Sequence, residues 1–447
     1  MSLLEQIAAA GVIGCGGAGF PTHVKLKGRF EVLIVNGAEC EPLLRNDRWM
    51  MRHKAEKIIA AMDAVISELA IPRAVIALKA HYEEEIEALK EAVRKAASPV
   101  EIHTLESFYP AGDEQTLVYE VTGRVVPPGG LPSEVGAVVC NVATMYSVGL
   151  AVKGYPFIYK YLTVTGEVRH PAILCVPVGT DIASCIELAG GAKRDTYTIV
   201  LGGPMMGRPL AQSAAGNTPV TKTTSGILVL PAGAAYAATS AADIRTMLRR
   251  ARSACIQCTT CTQLCPRHLL GHPLRPHRIM RKMAGGADIK ELLNDPDIRN
   301  AQICCECGIC EAYACPMGLQ PRRINAELKK ELAAAGIRYE RRESVWVPHE
   351  EREERKAPSE RVAARAGVHA YYDIEIDELV YGNPSRVMIP LKMSAGAPSV
   401  PTVTAGTKVK EGDLIAAIPE GKLGSNIHAS IRGTVTEVSD RIVIEKE

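Results

Sequence analysis

Three features of the sequence predict an α/β multidomain protein. Apolar runs typical of strands alternate with amphipathic helical patterns over residues 1–157, which indicates helices packed on a largely parallel sheet. β-rich segments follow at 158–235 and again at 384–447. A helical region with clustered cysteines, 236–337, lies between them. With 447 residues, 47% of them hydrophobic, the chain is long enough for several packed domains.

The alternation in the first domain can be followed element by element. Strands are expected at 30–35, 74–78 and 100–104, and helices at 3–10, from about 47, at 82–96 and at 114–121. In the helix from about 47, apolar residues recur every three or four positions, which places them on one helical face. These residues are Met51, Ala55, Ile58, Met62, Val65 and Leu69.

The remaining regions have distinct patterns. Residues 158–235 combine short strands with one helix, as in a β-grasp module. The longer helices of the cysteine-rich domain are expected near 242–252, 273–283 and 322–335. The region 338–383 begins with an Arg- and Glu-rich stretch that has no apolar period, so we expect an exposed connector or a solvated helix. Residues 384–447 contain two half-repeats of a flattened β-barrel, a barrel-sandwich hybrid.

Composition excludes several classes of function. The formal net charge is +2 and aromatic residues make up 4%, so no nucleic-acid partner is expected. No uncharged apolar stretch reaches the roughly 18 residues of a membrane span, and the first residues do not resemble a signal peptide. Eight of the 14 cysteines have ligand spacing. A reducing cytoplasm is therefore the expected compartment.

Those eight cysteines form two runs. Cys255, Cys258, Cys261 and Cys265, followed by proline, have the spacing of bacterial ferredoxins that bind [4Fe–4S] clusters. Cys304, Cys307, Cys310 and Cys315 repeat the pattern with one extra residue before the fourth cysteine. In two-cluster ferredoxins the fourth cysteine of each run serves the other cluster. We therefore expect Cys315 to complete the first set and Cys265 to complete the second.

Zinc is the alternative ligand for cysteines at this spacing. Zinc ribbons, however, pair two doublets across a longer gap, so three successive steps followed by Cys-Pro favour iron–sulfur clusters. Cys305 lies next to Cys304 and could replace it as a ligand, but the two-residue gap before Cys307 favours Cys304, so Cys305 is interpreted as a buried or spare thiol. The basic residues around the first run would either offset thiolate charge, dock an acidic partner, or simply be solvated helix faces. They are Arg249, Arg250, Arg252, Arg275, Arg278, Arg281 and Lys282.

A glycine-rich loop near the N-terminus is the second candidate site. Gly14, Gly16, Gly17 and Gly19 fall within six residues, so backbone N–H groups could approach an anion without side-chain obstruction. The loop does not follow a strand, which a standard dinucleotide motif requires. Lys25 could neutralise a phosphate. A packed turn that needs glycine for its backbone angles is the alternative interpretation.

The loop and its neighbours resemble a known superfamily. Residues 14–25 (GCGGAGFPTHVK), 36–42 (NGAECEP), 112–116 (GDEQT) and 140–144 (CNVAT) resemble the NADH-oxidising flavoprotein of complex I and, more closely, RnfC of the Rnf electron-transport complex. RnfC carries its barrel at the N-terminus, whereas the matching segment here is C-terminal. That order is similar to the PduS-type cobalamin reductases of propanediol-utilisation microcompartments, and the resemblance covers essentially the whole chain.

The resemblance implies specific cofactor contacts. FMN would be held by the glycine loop and by Lys25, Asn36, Glu39, Asn141 and Thr144. NADH would stack near Phe20 and meet Glu41 and Glu114. The cofactors implied are FMN, two [4Fe–4S] clusters and NADH as electron donor. No side chain is needed as a general acid or base, so no catalytic residue is predicted.

The resemblance also implies a function. Electrons would pass from NADH to FMN, to the two clusters and to cob(II)alamin, with a corrinoid adenosyltransferase and microcompartment shell proteins as partners. Two alternatives stay open: an RnfC-like subunit with another acceptor, and a non-enzymatic two-cluster relay. The barrel half-repeats also resemble biotinyl domains. Lys422 lies at the position that these domains modify, but its flanking residues differ, so modification is not expected.

Overall fold

The computed structural model describes residues 1–234, 242–286, 288–341 and 344–446. The boundary expected between 235 and 236 lies outside the described residues and stays a prediction. Within them, no helix is both long and apolar enough to cross a membrane.

A four-stranded parallel sheet forms the centre of the N-terminal domain. Its strands are β1 (Val32–Asn36), β2 (Arg73–Lys79), β3 (Glu101–Leu105) and β5 (Ala137–Asn141), and the short β4 (Phe108–Tyr109) lies outside it. The spatial order is β3-β2-β1-β5. The helices are α1 (Leu3–Ala9), α2 (Thr22–Lys25), α3 (Asn46–His53), α4 (Ala55–Leu69), α5 (Glu83–Ala96), α6 (Glu114–Thr122) and α7 (Val142–Val152).

Strand β1 shows why this sequence forms a covered parallel sheet. All four residues of its apolar run are buried. Leu33 and Val35 join the core on one face, and Val32 and Ile34 join the core on the other. The single helix expected from about residue 47 is two helices, because Lys54 leaves the helical conformation with φ −128° and ψ 15°. The predicted apolar face is otherwise buried from Met51 to Val65.

The strand order creates a switch point beside β1. The chain moves from β1 outward to β3 and then returns to β5 on the opposite side of β1. Both neighbours run parallel to β1, and the register pairs Asn36 with Asn141. Open α/β sheets bind ligands outside the carboxyl ends of their strands at such a point. The two asparagines therefore lie at the edge where a cofactor is expected.

The next module is a mixed sheet with one helix. Its strands are β6 (Tyr159–Gly166), β7 (Ala172–Pro177), β8 (Tyr197–Leu201), β9 (Arg208–Leu210) and β10 (Gly226–Pro231), and its helix is α8 (Ile182–Leu188). Strands β6 and β10 pair in parallel, and the β6–β7, β8–β10 and β8–β9 pairs are antiparallel. The β-grasp-like expectation is confirmed.

The cysteine-rich domain is helical. Its helices are α9 (Ile244–Ala254), α10 (Thr260–Gln263), α11 (Pro266–Leu269), α12 (Pro276–Ala284), α13 (Ile289–Leu292), α14 (Pro296–Arg299), α15 (Ile309–Ala312) and α16 (Pro321–Ala334). The three long ones, α9, α12 and α16, agree with the three helices expected from the sequence. They enclose a core that includes Met247, Met283 and Leu328.

The charged connector is only partly exposed, so the expectation of an exposed stretch was wrong in two places. Strand β11 (Ala357–Pro358) pairs with β4, and α17 (Ser359–Arg365) buries Val362 and Ala363. Strand β12 (Leu379–Tyr381) pairs with β7 and completes a six-stranded sheet. Each element buries too few residues to create a readable apolar period, which is why none was expected in this region.

The C-terminal domain is a flattened barrel of two sheets. Its strands are β13 (Arg386–Pro390), β14 (Val400–Pro401), β15 (Lys408–Val409), β16 (Leu414–Ala417), β17 (Ile427–His428), β18 (Gly433–Val438) and β19 (Arg441–Glu445). It packs against the N-terminal domain: the Ala395 N–H donates to the Gly19 carbonyl at 3.0 Å. The buried Lys222 of the β-grasp module donates to Gly11 and Asn426, which ties three domains together.

Candidate functional site

The glycine loop is a turn whose base is fixed by hydrogen bonds and whose tip is open. Ile13 and Pro21 form a β-bridge at its base, and the Gly14 N–H donates to the Phe20 carbonyl at 2.9 Å. The Cys15 N–H donates to Thr144 Oγ1 at 2.9 Å, which fixes the loop to the first turn of α7. A Cβ placed on Gly17 would meet no atom within 4 Å. At the tip, the backbone therefore has no side chain over it and faces open space.

Polar side chains surround the switch point next to this loop, where a Cβ on Gly16 would lie 3.2 Å from Asn141 Nδ2. The glycine loop and these side chains are together called the cleft. Lys25 Nζ lies 2.6 Å from Glu114 Oε1. Burial alone would lower the pKa of Lys25, but Glu114 and Cys140 together raise it above its ordinary value, so this amine stays cationic. Asn36 Nδ2 donates to the Gly112 carbonyl at 2.9 Å, and Asn141 Nδ2 donates to Asp47 Oδ2 at 2.6 Å.

Glu39, which is partly buried, and Asp47, which is buried, form a carboxylate pair at the same edge. Glu39 accepts the N–H groups of Asp47 and Arg48 at 2.9 and 3.1 Å, in the first turn of α3. Burial, followed by the charge of Asp47, raises the pKa of Glu39, and burial also raises that of Asp47. Sequence reasoning missed Asp47, because its position within a helix gives no sign that Asn141 contacts it.

Glu41 contacts the β-grasp module. Its carboxylate accepts the N–H groups of Met205 at 2.9 Å and Met206 at 2.6 Å. A Cβ on Gly203 would come within 2.2 Å of Glu41 Oε2, so only glycine allows this approach. Burial raises the pKa of Glu41 to about 7. Of the residues predicted to meet NADH, Phe20 is 39% exposed and Glu114 is paired with Lys25. Their role, and that of Glu41, stay predictions.

The residues present fit FMN. The open space over Gly17 leaves backbone N–H groups free of side chains, and Lys25 supplies a cation for a phosphate. Asn36, Asn141 and Thr144 supply amide and hydroxyl groups that suit the heteroatoms of a flavin ring. A separate cavity of about 800 Å³ is lined by residues of α4, α7 and β6, and Cys15 of the glycine loop also lines it.

The cysteines gather into two sets. Cys255, Cys258, Cys261 and Cys315 line one pocket and are called the outer set. Burial, and then the neighbouring thiols of Cys315, Cys258 and Cys255, raise the pKa of Cys261 to about 12. Cys265, Cys304, Cys307 and Cys310 are called the inner set. Burial, then Glu311, Cys304 and Cys265, raise the pKa of Cys310.

These two groups coincide with the ligand sets expected from the sequence, while ligation itself stays a prediction. The thiols have the chemistry that iron–sulfur clusters need, because thiolates are their ligands. No three His, Cys, Asp or Glu side chains of the described ranges converge as a site for a single ion. The outer set surrounds a pocket instead.

The inner set adjoins the cleft. Tyr109 Oη donates to the Cys307 carbonyl, and Tyr109 lies three residues before Gly112. Arg267, two residues after Cys265, donates to both carboxylate oxygens of Asp113 at 2.5 and 2.9 Å. Burial would raise the pKa of Asp113, but Arg267 lowers it below its ordinary range. Cys305 lies beside Asp113, Arg267 and Cys307.

Comparison with known proteins agrees with this division of the chain. Residues 7–150 match the family described as the Nuo51 FMN-binding domain, and residues 161–209 match the SLBB domain. Residues 254–320 match the 4Fe-4S dicluster domain, and 373–447 match the RnfC barrel sandwich hybrid domain. Fold and site therefore define an oxidoreductase whose cofactors are FMN and two [4Fe–4S] clusters. NADH is the electron donor that fits such a protein.

Similar proteins specify the family. The chain is 39% identical to cobalamin reductase PduS of Citrobacter freundii over 99% of its own length and 96% of that protein. It is 39% identical to cobalamin reductase PduS of Salmonella typhimurium over 98% and 95%. A component of the ion-translocating oxidoreductase complex of Rhodobacter capsulatus is 37% identical over 59% of this chain and 49% of that protein. The chain belongs to the PduS family.

Proposed function

We propose that this protein is an NADH-dependent reductase whose final electron acceptor is cob(II)alamin. The observation that carries this proposal is the 39% identity to cobalamin reductases along nearly the whole chain. The direct contact between the cleft and the inner cysteine set supports it, because electrons tunnel efficiently only between neighbouring centres. Tyr109 and Asp113 make that contact from the cleft side.

The residues of this chain bind and orient rather than react. Lys25 and the glycine loop would hold the FMN phosphate, and Asn36, Asn141 and Thr144 would orient the ring. The two cysteine sets would hold the clusters. When bound, FMN and the clusters supply the conversion of a hydride electron pair into single electrons. Arg267 keeps Asp113 ionised and fixes the Gly112 turn against the cluster domain.

The test is anaerobic and has three outcomes. The purified protein should show flavin absorbance that bleaches on adding NADH, and the reduced protein should reduce cob(II)alamin in stopped flow faster than free reduced FMN does. Flavin that NADH fails to bleach would leave only a two-cluster relay. Bleaching without faster cobalamin reduction would favour another acceptor, as the likeness to a component of an ion-translocating oxidoreductase complex suggests.

We further propose that the reduced cobalamin is passed to a corrinoid adenosyltransferase inside a bacterial microcompartment. The resemblance to reductases of propanediol-utilisation microcompartments supports this placement. A fluorescent fusion of the protein should coincide with a labelled shell protein in cells that make the compartment. Diffuse fluorescence in those cells would contradict the proposal.

A further inference from the structure

The two cysteine sets differ in their access to solvent. In the inner set Cys265, Cys307 and Cys310 are buried. In the outer set Cys258 is exposed, and the other three cysteines are partly exposed. The inner set contacts the cleft through Tyr109 and Arg267, and the outer set is the more exposed of the two.

The surface over the outer set has an apolar centre. Ile256 is 63% exposed and Met317 is 41% exposed. Both side chains line the pocket that contains Cys255, Cys258, Cys261 and Cys315. Large apolar side chains are costly to leave in water, and an exposed pair beside a functional centre is typical of a contact surface.

The chain segment that carries half of this surface is basic. The segment 242–286 contains nine arginines and lysines and only one acidic residue, Asp243. Three of the nine have ion pairs: Arg267, Arg278 and Lys282. Among the described residues the other six form no ion pair within 4 Å; they are Arg245, Arg249, Arg250, Arg252, Arg275 and Arg281. Arg250 Nη2 lies 3.4 Å from the Gly318 carbonyl, which places the basic helix α9 beside the loop that carries Met317.

We propose that this surface docks an acidic electron-acceptor protein. Its apolar centre is Ile256 and Met317, and its rim includes Arg249 and Arg250. Unpaired guanidinium groups around an exposed apolar centre complement a partner face of carboxylates around an apolar patch. The inference rests on the proposed function, in which electrons leave through the cysteine-bound centres, and the docked protein carries them on to cob(II)alamin. Each encounter transfers one electron to the partner and makes or breaks no bond, so one NADH serves two encounters.

The test uses a plant-type [2Fe–2S] ferredoxin, which is acidic and accepts one electron, as the probe. Its affinity for the anaerobic holoprotein is measured by surface plasmon resonance between about 50 and about 200 mM salt, a range over which the electrostatic screening length shortens. We expect an affinity that falls at least about tenfold over this range and again at least about tenfold in the Arg249→Glu/Arg250→Glu variant. Ile256→Asp should weaken binding at low salt as well.

The matched control is Lys422→Glu/Arg432→Glu, on the exposed surface of the barrel, which makes the same change in charge. Equal losses in both charge-reversal variants, or no ferredoxin binding by the parent protein, overturn the proposal. So does a loss of direct cob(II)alamin binding in Ile256→Asp with ferredoxin binding unchanged. Bleaching of the flavin by NADH, followed in the same samples, tests the proposed function separately and should be equal in all variants.

Discussion

Lys25 is the cation that we expect to bind the FMN phosphate. It is held 2.6 Å from Glu114, and both side chains are about one-third exposed, so the pair can open when a ligand binds. Lys25→Met should weaken FMN binding at least about tenfold, or about 1.4 kcal/mol, because a charge-assisted hydrogen bond is lost. The measurement is a fluorescence titration of the deflavinated protein with FMN. Lys27→Met, two residues away and exposed, should leave the affinity unchanged; equal weakening by both would argue against the assignment.

Glu41 is a carboxylate that the fold accepts at an electrostatic cost. Burial raises its pKa to about 7 from 4.5, so the folded state binds the proton more tightly than the unfolded state does. Protonated Glu41 therefore contributes fully to the free energy of unfolding below about pH 4.5. This contribution is lost as the pH rises to about 7, and above pH 7 it does not change further.

Glu41→Gln, which cannot titrate, should therefore gain thermal stability relative to the natural protein between about pH 4.5 and 7. Differential scanning calorimetry at stepped pH measures the difference in melting temperature. A difference that does not change with pH would show that folding does not shift the pKa of Glu41. A raised KM for NADH in the same variant would support its predicted nicotinamide contact.

At the scale of elements, the α6–α11 junction depends on one ion pair. Arg267 is 7% exposed and donates twice to Asp113, which also caps α6 through the Thr116 N–H. Arg267→Met should destabilise the protein by about 3–5 kcal/mol, because it leaves a buried carboxylate unpaired.

Arg278 provides the control for that experiment. It is exposed and lies 3.8 Å from Asp297, so Arg278→Met should cost less than about 1 kcal/mol. Urea unfolding of the anaerobic holoprotein, followed by circular dichroism, gives both values. The Arg267→Met/Asp113→Asn double variant should recover part of the loss, and a double variant no more stable than Arg267→Met would contradict this explanation.

Elements with a repeating pattern were predictable, and those without one were not. The apolar run of β1 and the spacing of the cysteines are local properties, so sequence alone located the sheet and both cysteine sets. Helix α17 buries Ser359 and only two apolar residues, Val362 and Ala363, and Arg352 is buried against Tyr119 with its guanidinium 4.6 Å from the ring centroid. A buried arginine and two apolar residues produce no period, so the connector was expected to be exposed.

The residues of the site were likewise predictable where they are close in sequence and not where they are far apart. The glycine loop and Lys25 are close in sequence, and the resemblance placed them together. The contact of Glu41 with Met205 spans 164 residues, and that of Arg267 with Asp113 spans 154. Such pairs depend on how whole domains pack, which no local pattern encodes. The only signal for them in the sequence would be a charged residue with no oppositely charged residue nearby along the chain.

At the scale of the whole molecule, the two cysteine sets should differ in their resistance to oxidants. Cys258 is exposed, whereas Cys307 and Cys310 are buried. Limited ferricyanide should therefore destroy the cluster of the outer set first, because oxidants reach exposed cluster sulfur sooner. Electron paramagnetic resonance of the partly oxidised protein measures the loss. The Cys258→Ser and Cys310→Ser variants assign the two signals, and equal rates of loss for both would contradict the prediction.

The C-terminal barrel contacts residues close to the start of the chain. It donates to Gly19, and its Asn426 shares Lys222 with Gly11. Because the contact surface is set by folding and not by order along the gene, the same barrel could precede the flavin domain and still rest on it. Evolution is thereby free to shuffle this module from one terminus to the other, and a circularly permuted gene should yield a protein that still retains its flavin.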